Sequence, residues 1–131
     1  MLKFADAFSS FSVDDLGAAR AFYEQTLGFE VKDGPMGMLE LQLPAGGHVL
    51  IYPKPDHRPA TFTVLNLIVA DVEQAVDALA AGGITMERYD TPALSQDAKG
   101  IARGNGPSIA WLADPGGNVI ALIEDPRGAT A

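Results

Sequence analysis

The 131-residue chain contains no cysteine. Disulfides, thiolate nucleophiles and thiolate metal sites are therefore excluded, and a cytoplasmic setting is expected. Basic residues are scarce: nine Lys and Arg stand against seventeen Asp and Glu, for a formal net charge of −8. Such a surface repels phosphate backbones and anionic lipids, so nucleic acid is not an expected partner. No apolar run is long enough to span a membrane, and the opening stretch MLKFADAF lacks the charged-then-apolar layout of a secretory signal. Apolar residues, by contrast, make up 47% of the chain. That is enough for one domain with a real core.

One layout is written twice. FSVDDLGAARAFY and LIVADVEQAVDAL both read as the end of a strand running into a helix, with Val13 matching Val69, Asp15 matching Asp71 and Ala19 matching Ala75. Asp15 and Asp71 are the expected N-caps, and Gln74 completes a capping box in the second copy. Leu16, Ala19, Phe22 and Tyr23 form one apolar stripe, and Val72, Ala75, Val76 and Leu79 the other. Gly28 and Gly83 are expected helix stops, each before a short strand, although this match slips by one residue. LELQLPAGGHVLIY and IAWLADPGGNVIAL then both read as strand, Gly-Gly turn, strand, with Gly46 set against Gly116. Each copy is thus expected to be strand, helix, strand, strand, strand. The first spans about residues 6–54 and the second about 62–125, with the proline-rich stretch 53–61 as a stiff link. The second copy is longer by the stretch DTPALSQDAKGIARGNGP, from Asp90 to Pro107, and loops of that length are often functional.

The doubled βαβββ module, with VDDLGAARAFYEQTLGFEV and ADPGGNVIALIE, resembles the vicinal oxygen chelate superfamily. That group contains glyoxalase I, extradiol dioxygenases and the bleomycin- and fosfomycin-resistance proteins. The resemblance implies one α+β domain over 1–131, in which two tandem modules form a U-shaped mixed sheet around a trough with the helices outside. Catalytic members hold a divalent metal there with His or Glu from the first and last strands of each module. The corresponding positions here are Phe8, Ile51, Val64 and Ala121, none of which can bind a metal. No metal and no other cofactor is therefore expected. The same-face neighbours Asp6, Ser10 and Asn66 make a weak donor set, and Glu124 is expected to face away from Ala121.

If those four positions face inward, the trough is mostly apolar with a few polar points, as small-molecule sites usually are. Ser10 and Asn66 then share it. Leu39, Leu41 and Leu43 alternate with Glu40 and Gln42, so leucines packed under the helix would turn Glu40 and Gln42 into the concavity. Tyr52 and Trp111 are expected to stack on a planar ligand or to join the core. His48 falls in a turn and His57 in the link, where surface roles are the ordinary expectation. Within the long loop, Lys99 or Arg103 would reach a ligand anion from a flap, or else form an internal salt bridge, for instance to Asp97 or Glu40. The leading expectation is a metal-free protein that binds an unknown small molecule, as a homodimer. The alternative is a metal-free enzyme, or one with a rebuilt metal site, of glyoxalase or dioxygenase type. It would draw its acid-base groups from Glu40, Tyr52, Lys54, His57 and Arg103.

Overall fold

The structure, a computed structural model, describes residues 1–89, 91–104 and 106–127. Asp90, at the expected start of the long loop, lies outside the described residues, as do Asn105 and the last four residues. The chain divides into two compact units, Met1–Pro59 and Ala60–Ala131.

The first unit begins with β1 (Ser9–Val13) and α1 (Leu16–Ala21) and continues through β2 (Glu30–Asp33), β3 (Leu39–Gln42) and β4 (His48–Pro53). Its sheet order is β1-β4-β3-β2, with β1 parallel to β4 and the other pairs antiparallel. Asp15 caps α1 by accepting from Ala18 N at 3.0 Å. The helix then widens into a π-turn over Phe22–Thr26. A π-turn holds one residue more than the α-helical path. That extra residue is the slip between the Val13–Val69 and Gly28–Gly83 matches. Gly28 adopts φ 83° and Gly83 φ 88°, the left-handed stop that both copies call for.

Cross-strand partners share a sheet face, so the ladders sort every side chain. Phe11 pairs with Ile51, Ile51 with Leu39, and Leu41 with both Val49 and Val31. All of these are buried, together with Val13 and Ala19, and form the core under α1. Tyr23 is fully buried, with its ring 5.9 Å from Phe11, 5.1 Å from Phe22 and 6.3 Å from Phe29.

The second unit contains β5 (Thr63–Val69), α2 (Val72–Ala81), β6 (Ile109–Ala113) and β7 (Val119–Glu124), in sheet order β5-β7-β6. Asp71 caps α2 through Gln74 N at 3.1 Å. Glu124 adds a second cap by accepting from Val72 N at 3.1 Å, so it does face the helix side, away from Ala121. Leu65, Ala110, Leu112, Ile120 and Leu122 form the core with Val72 and Val76.

Three strands, not four, are found in this unit among the described residues. The strand expected after Gly83 is replaced by irregular chain, and the reason is local. Gln96 accepts from Tyr89 N at 2.7 Å and donates to Glu87 O at 2.9 Å. One side chain thus takes up the main-chain groups that a neighbouring strand would have used. Its amide also donates to Gly100 O at 2.8 Å, which ties the long loop to the same segment.

Candidate functional site

The two hairpin turns settle the match between the copies. Gly46 N donates to Leu43 O at 3.0 Å, and Gly117 N donates to Asp114 O at 2.9 Å. Leu43 N reaches Gly47 O, and Asp114 N reaches Asn118 O. Gly46 is therefore the counterpart of Gly117 rather than of Gly116, and Pro44 of Pro115. The residue equivalent to Ala121 becomes Leu50. Ile51, expected to face the trough, is corrected: it lies fully buried on the helix side, paired with Phe11 and Leu39.

In the first unit, the sheet face opposite α1 carries Ser10, Ser12, Glu40, Gln42, His48, Leu50 and Tyr52. Glu40 and Gln42 are thus placed on the side that the leucine alternation indicates. Phe8 lies just before β1, 57% exposed, and stacks on His48 with ring centroids 4.9 Å apart. His48 is not a turn residue but the first residue of β4, with Nδ1 3.6 Å from Glu40 Oε1. The link folds back so that His57 Nδ1 lies 2.7 Å from Ser12 Oγ, beside Tyr52, the strand partner of Ser12. Both histidines are therefore on built positions, which their sequence neighbourhoods did not reveal.

In the second unit, the face opposite α2 carries Asn66, Ile68, Ile109, Trp111, Ala121 and Ile123. Asn66 pairs with Ala121, and Ala121 with Trp111. Ile68 is 72% exposed. Val64 sits at a break in the ladder between Thr63 and Leu65, so strand alternation does not carry it onto the Asn66 face. Tyr89 sets its ring edge-on to Trp111 at 5.5 Å. Its hydroxyl is held above its ordinary pKa by burial and by the nearby Glu87 charge. Next to this face, Leu94, Ser95, Ala102, Arg103 and Pro107 of the loop enclose a small cleft with Ile109 and Trp111. The cleft brings together Arg103 and Trp111, two of the residues marked in the sequence.

Arg103 makes two ion pairs within the second unit. Its Nη2 is 2.8 Å from Glu73 Oε1 and its Nε 3.2 Å from Asp97 Oδ2. Lys99 Nζ lies 2.9 Å from Asp77 and 3.4 Å from Glu73. Both cations thus tie the loop to α2, and Arg103 also pairs with the loop's own Asp97. The hydrogen bond to Asp77 is the largest influence raising Lys99 above its ordinary pKa. Burial works to raise the Asp97 carboxyl, but hydrogen bonds from Ile101 N, Arg103 and Lys99 N outweigh it and hold the group below its ordinary value.

The sequence motif ADPGGN is explained by the hairpin. Asp114 and Asn118 are both buried. Asp114 Oδ1 accepts from Asn118 N at 2.8 Å, Asn118 Nδ2 donates to Asp114 Oδ2 at 3.2 Å, and Asn118 Oδ1 accepts from Ala60 N at 3.2 Å. These polar groups hold the turn and do not line a ligand face.

The metal that the sequence resemblance implies does not fit. With the corrected match its four positions are Phe8, Leu50, Val64 and Ala121, which offer no donor atom. Among the described residues, no group of three His, Asp or Glu side chains is placed to share an ion.

Comparison with known proteins agrees with the architecture. A protein from Sphaerobacter thermophilus, described as a member of the Glyoxalase/bleomycin resistance protein/dioxygenase superfamily, is 25% identical with a TM-score of 0.64, over 92% of this chain and 98% of that one. TnmS3, an antibiotic binding protein from Streptomyces sp. CB03234, is 24% identical with a TM-score of 0.63, over 94% of this chain and 98% of that one. Lactoylglutathione lyase from Agrobacterium tumefaciens is 21% identical with a TM-score of 0.63, over 92% of each chain. No curated protein matches the sequence. The family model for the Glyoxalase/Bleomycin resistance protein/Dioxygenase superfamily matches residues 7–122, and the chain belongs to that superfamily.

Proposed function

We propose that the protein binds a small, largely apolar molecule without a metal, and that the open face of the second sheet receives it. The observation that carries this reading is the composition of that face. Trp111, Ile109, Ile123 and Ile68 present apolar surface around the buried Ala121, with Asn66 as one polar point. Small-molecule sites are usually built this way. The four ligand positions of the superfamily carry only hydrocarbon side chains. TnmS3, similar in fold, is an antibiotic binding protein, which supports sequestration as the mode of action. A homodimer in the cytoplasm is part of the same reading; β1 and β2 in one sheet, and β5 in the other, are edge strands that a second copy would cover.

The test is a thermal-shift screen of planar aromatic compounds, since a ligand bound only by the folded state raises the melting temperature. Trp111 is the only tryptophan, so a true ligand will also perturb the intrinsic fluorescence. Hits that leave the emission unchanged and bind Trp111→Ala equally well contradict the placement.

One observation favours the metal-free enzyme instead. The 2.7 Å contact between Ser12 Oγ and His57 Nδ1 joins a hydroxyl to a base on the open face of the first sheet. Turnover of a compound that binds, lost in His57→Gln with affinity retained, would select that reading over sequestration.

A further inference from the structure

The open face of the first sheet contains a polar group that the fold leaves unsatisfied. Gln42 Nε2 is buried and has no hydrogen-bond partner among the described residues. A buried donor without an acceptor is costly, and native proteins seldom keep one without a use. Beside it, two residues back on the same strand and the same face, is Glu40, whose carboxylate is about a quarter exposed. Neighbours on one face of a strand are roughly 6.6 Å apart at Cα, within which these long side chains can converge on one small ligand group. His48, the cross-strand partner of Gln42, has Nδ1 3.6 Å from Glu40 Oε1, too long for a good hydrogen bond. Glu40 is therefore not saturated by it. Phe8 caps the imidazole and leaves more than half of its own surface open.

We infer that Glu40 and Gln42 form a recognition site for a protonated amine that stands next to a carbonyl or similar acceptor oxygen. The carboxylate takes the ammonium and the Gln42 amide donates to the oxygen, with the Phe8 ring as apolar flank. This inference rests on the reading of the protein as a small-molecule binder and names the ligand chemistry that the face of the first sheet would take on its own. Charge complementarity supports it: the chain carries −8 overall, which draws cations to the surface. The other charged groups on this face are Glu30, opposite Gln42, and Lys32, opposite Glu40. Lys32 forms no ion pair with Glu40 among the described residues, so the carboxylate remains available.

The test uses three ring-matched probes by isothermal titration. L-tryptophanamide carries both the amine and the carbonyl, tryptamine only the amine, and indole-3-propionamide only the carbonyl. L-tryptophanamide should bind at least about tenfold more tightly than either, as expected for one charge-assisted bond. Glu40→Gln should reduce it to the level of indole-3-propionamide, and Gln42→Leu to the level of tryptamine. Gln42→Leu supplies a second readout that needs no ligand. Removing an orphaned donor should raise the melting temperature by roughly 3–6 °C. Equal affinity for the three probes, unchanged in both variants, overturns this inference and leaves the apolar-face reading intact. No saturable binding of L-tryptophanamide up to its solubility limit, or a lower melting temperature in Gln42→Leu, overturns it as well. Failure of the aromatic screen and the Trp111 test would instead strike the parent reading.

Discussion

Gln96→Ala tests the account of why the second unit has three strands. The wild-type side chain makes three neutral hydrogen bonds, with Tyr89 N at 2.7 Å, Glu87 O at 2.9 Å and Gly100 O at 2.8 Å. Each such bond contributes about 0.5–1.5 kcal/mol net. Tyr89 is exposed and its amide regains water on truncation, so that bond lies at the low end. Gly100 is buried, and its carbonyl is left stranded unless the loop moves. The sum is about 2–3 kcal/mol. For a chain of this length that is a fall in Tm of roughly 6–15 °C if unfolding is two-state. If the loop detaches first, the loss shows locally in hydrogen exchange. The Tyr89 amide, which donates to the missing oxygen, should then lose protection, and so should the Glu87 amide, which donates to Trp111 O at 2.7 Å. Gln96→Glu is the stringent control. It keeps the acceptor for Tyr89 N but sets a carboxylate against two carbonyls, and should be at least as damaging as alanine. A Tm change below about 2 °C in Gln96→Ala, with protection at Glu87 and Tyr89 unchanged, would refute the idea that this side chain replaces a strand.

Other expectations follow from the same geometry. Arg103→Ala should cost under about 1 kcal/mol, because both of its ion pairs are well exposed, and should leave ligand affinity unchanged; a tenfold weaker affinity would restore the flap. Tyr23→Ala should destabilise by about 3–5 kcal/mol in chemical denaturation, since a fully buried aromatic is lost from a four-ring cluster; a loss below about 1 kcal/mol would contradict the core described for the first unit. Asp97 is held below its ordinary pKa, so its stabilising effect is complete above the unfolded value of about 3.9 and is lost as pH falls through the lower folded value. The Lys99 and Ile101 amides, which donate to Asp97 Oδ1 at 2.9 and 3.0 Å, should therefore keep their exchange protection at about pH 5 and lose it only as pH falls below the unfolded value of about 3.9 and through the lower folded one. Protection retained well below that range would show that the carboxylate does not hold the loop.

The parts of the fold that rest on local chemistry were legible in the residues. Asp15 and Asp71 cap helices, Gly28 and Gly83 end them, and the Leu39–Leu41 alternation sets which side of β3 is core. Two one-residue slips had separate causes, an inserted residue in the first helix and mispaired glycines in turns of equal length. In α1 the insertion is absorbed by the π-turn at Phe22–Thr26. In the hairpins, matching glycine to glycine moved the second copy by one position and turned Ile51 to the wrong face. The signal that would have corrected it was present in the prolines: Pro44 and Pro115 align the turns correctly. The missing strand was less accessible, because it depends on the Gln96 side chain reaching back seven residues to Tyr89, a contact with no short motif. The same holds for His48 and His57, whose partners Glu40 and Ser12 are brought to them by strand pairing and by the fold of the link. On the open face of the first sheet, alternation therefore placed Ser10, Glu40 and Gln42, whereas the contacts of the two histidines could not be read from the sequence.

The central claim is ligand binding on the second sheet without a metal. Its most direct test is a fluorescence titration of tag-free protein with the strongest aromatic hit from the thermal-shift screen, read through Trp111, before and after treatment with EDTA. The account predicts one saturable transition in Trp111 emission with the same midpoint in both samples. A transition that disappears with EDTA and returns on adding zinc, nickel, manganese or iron would contradict it.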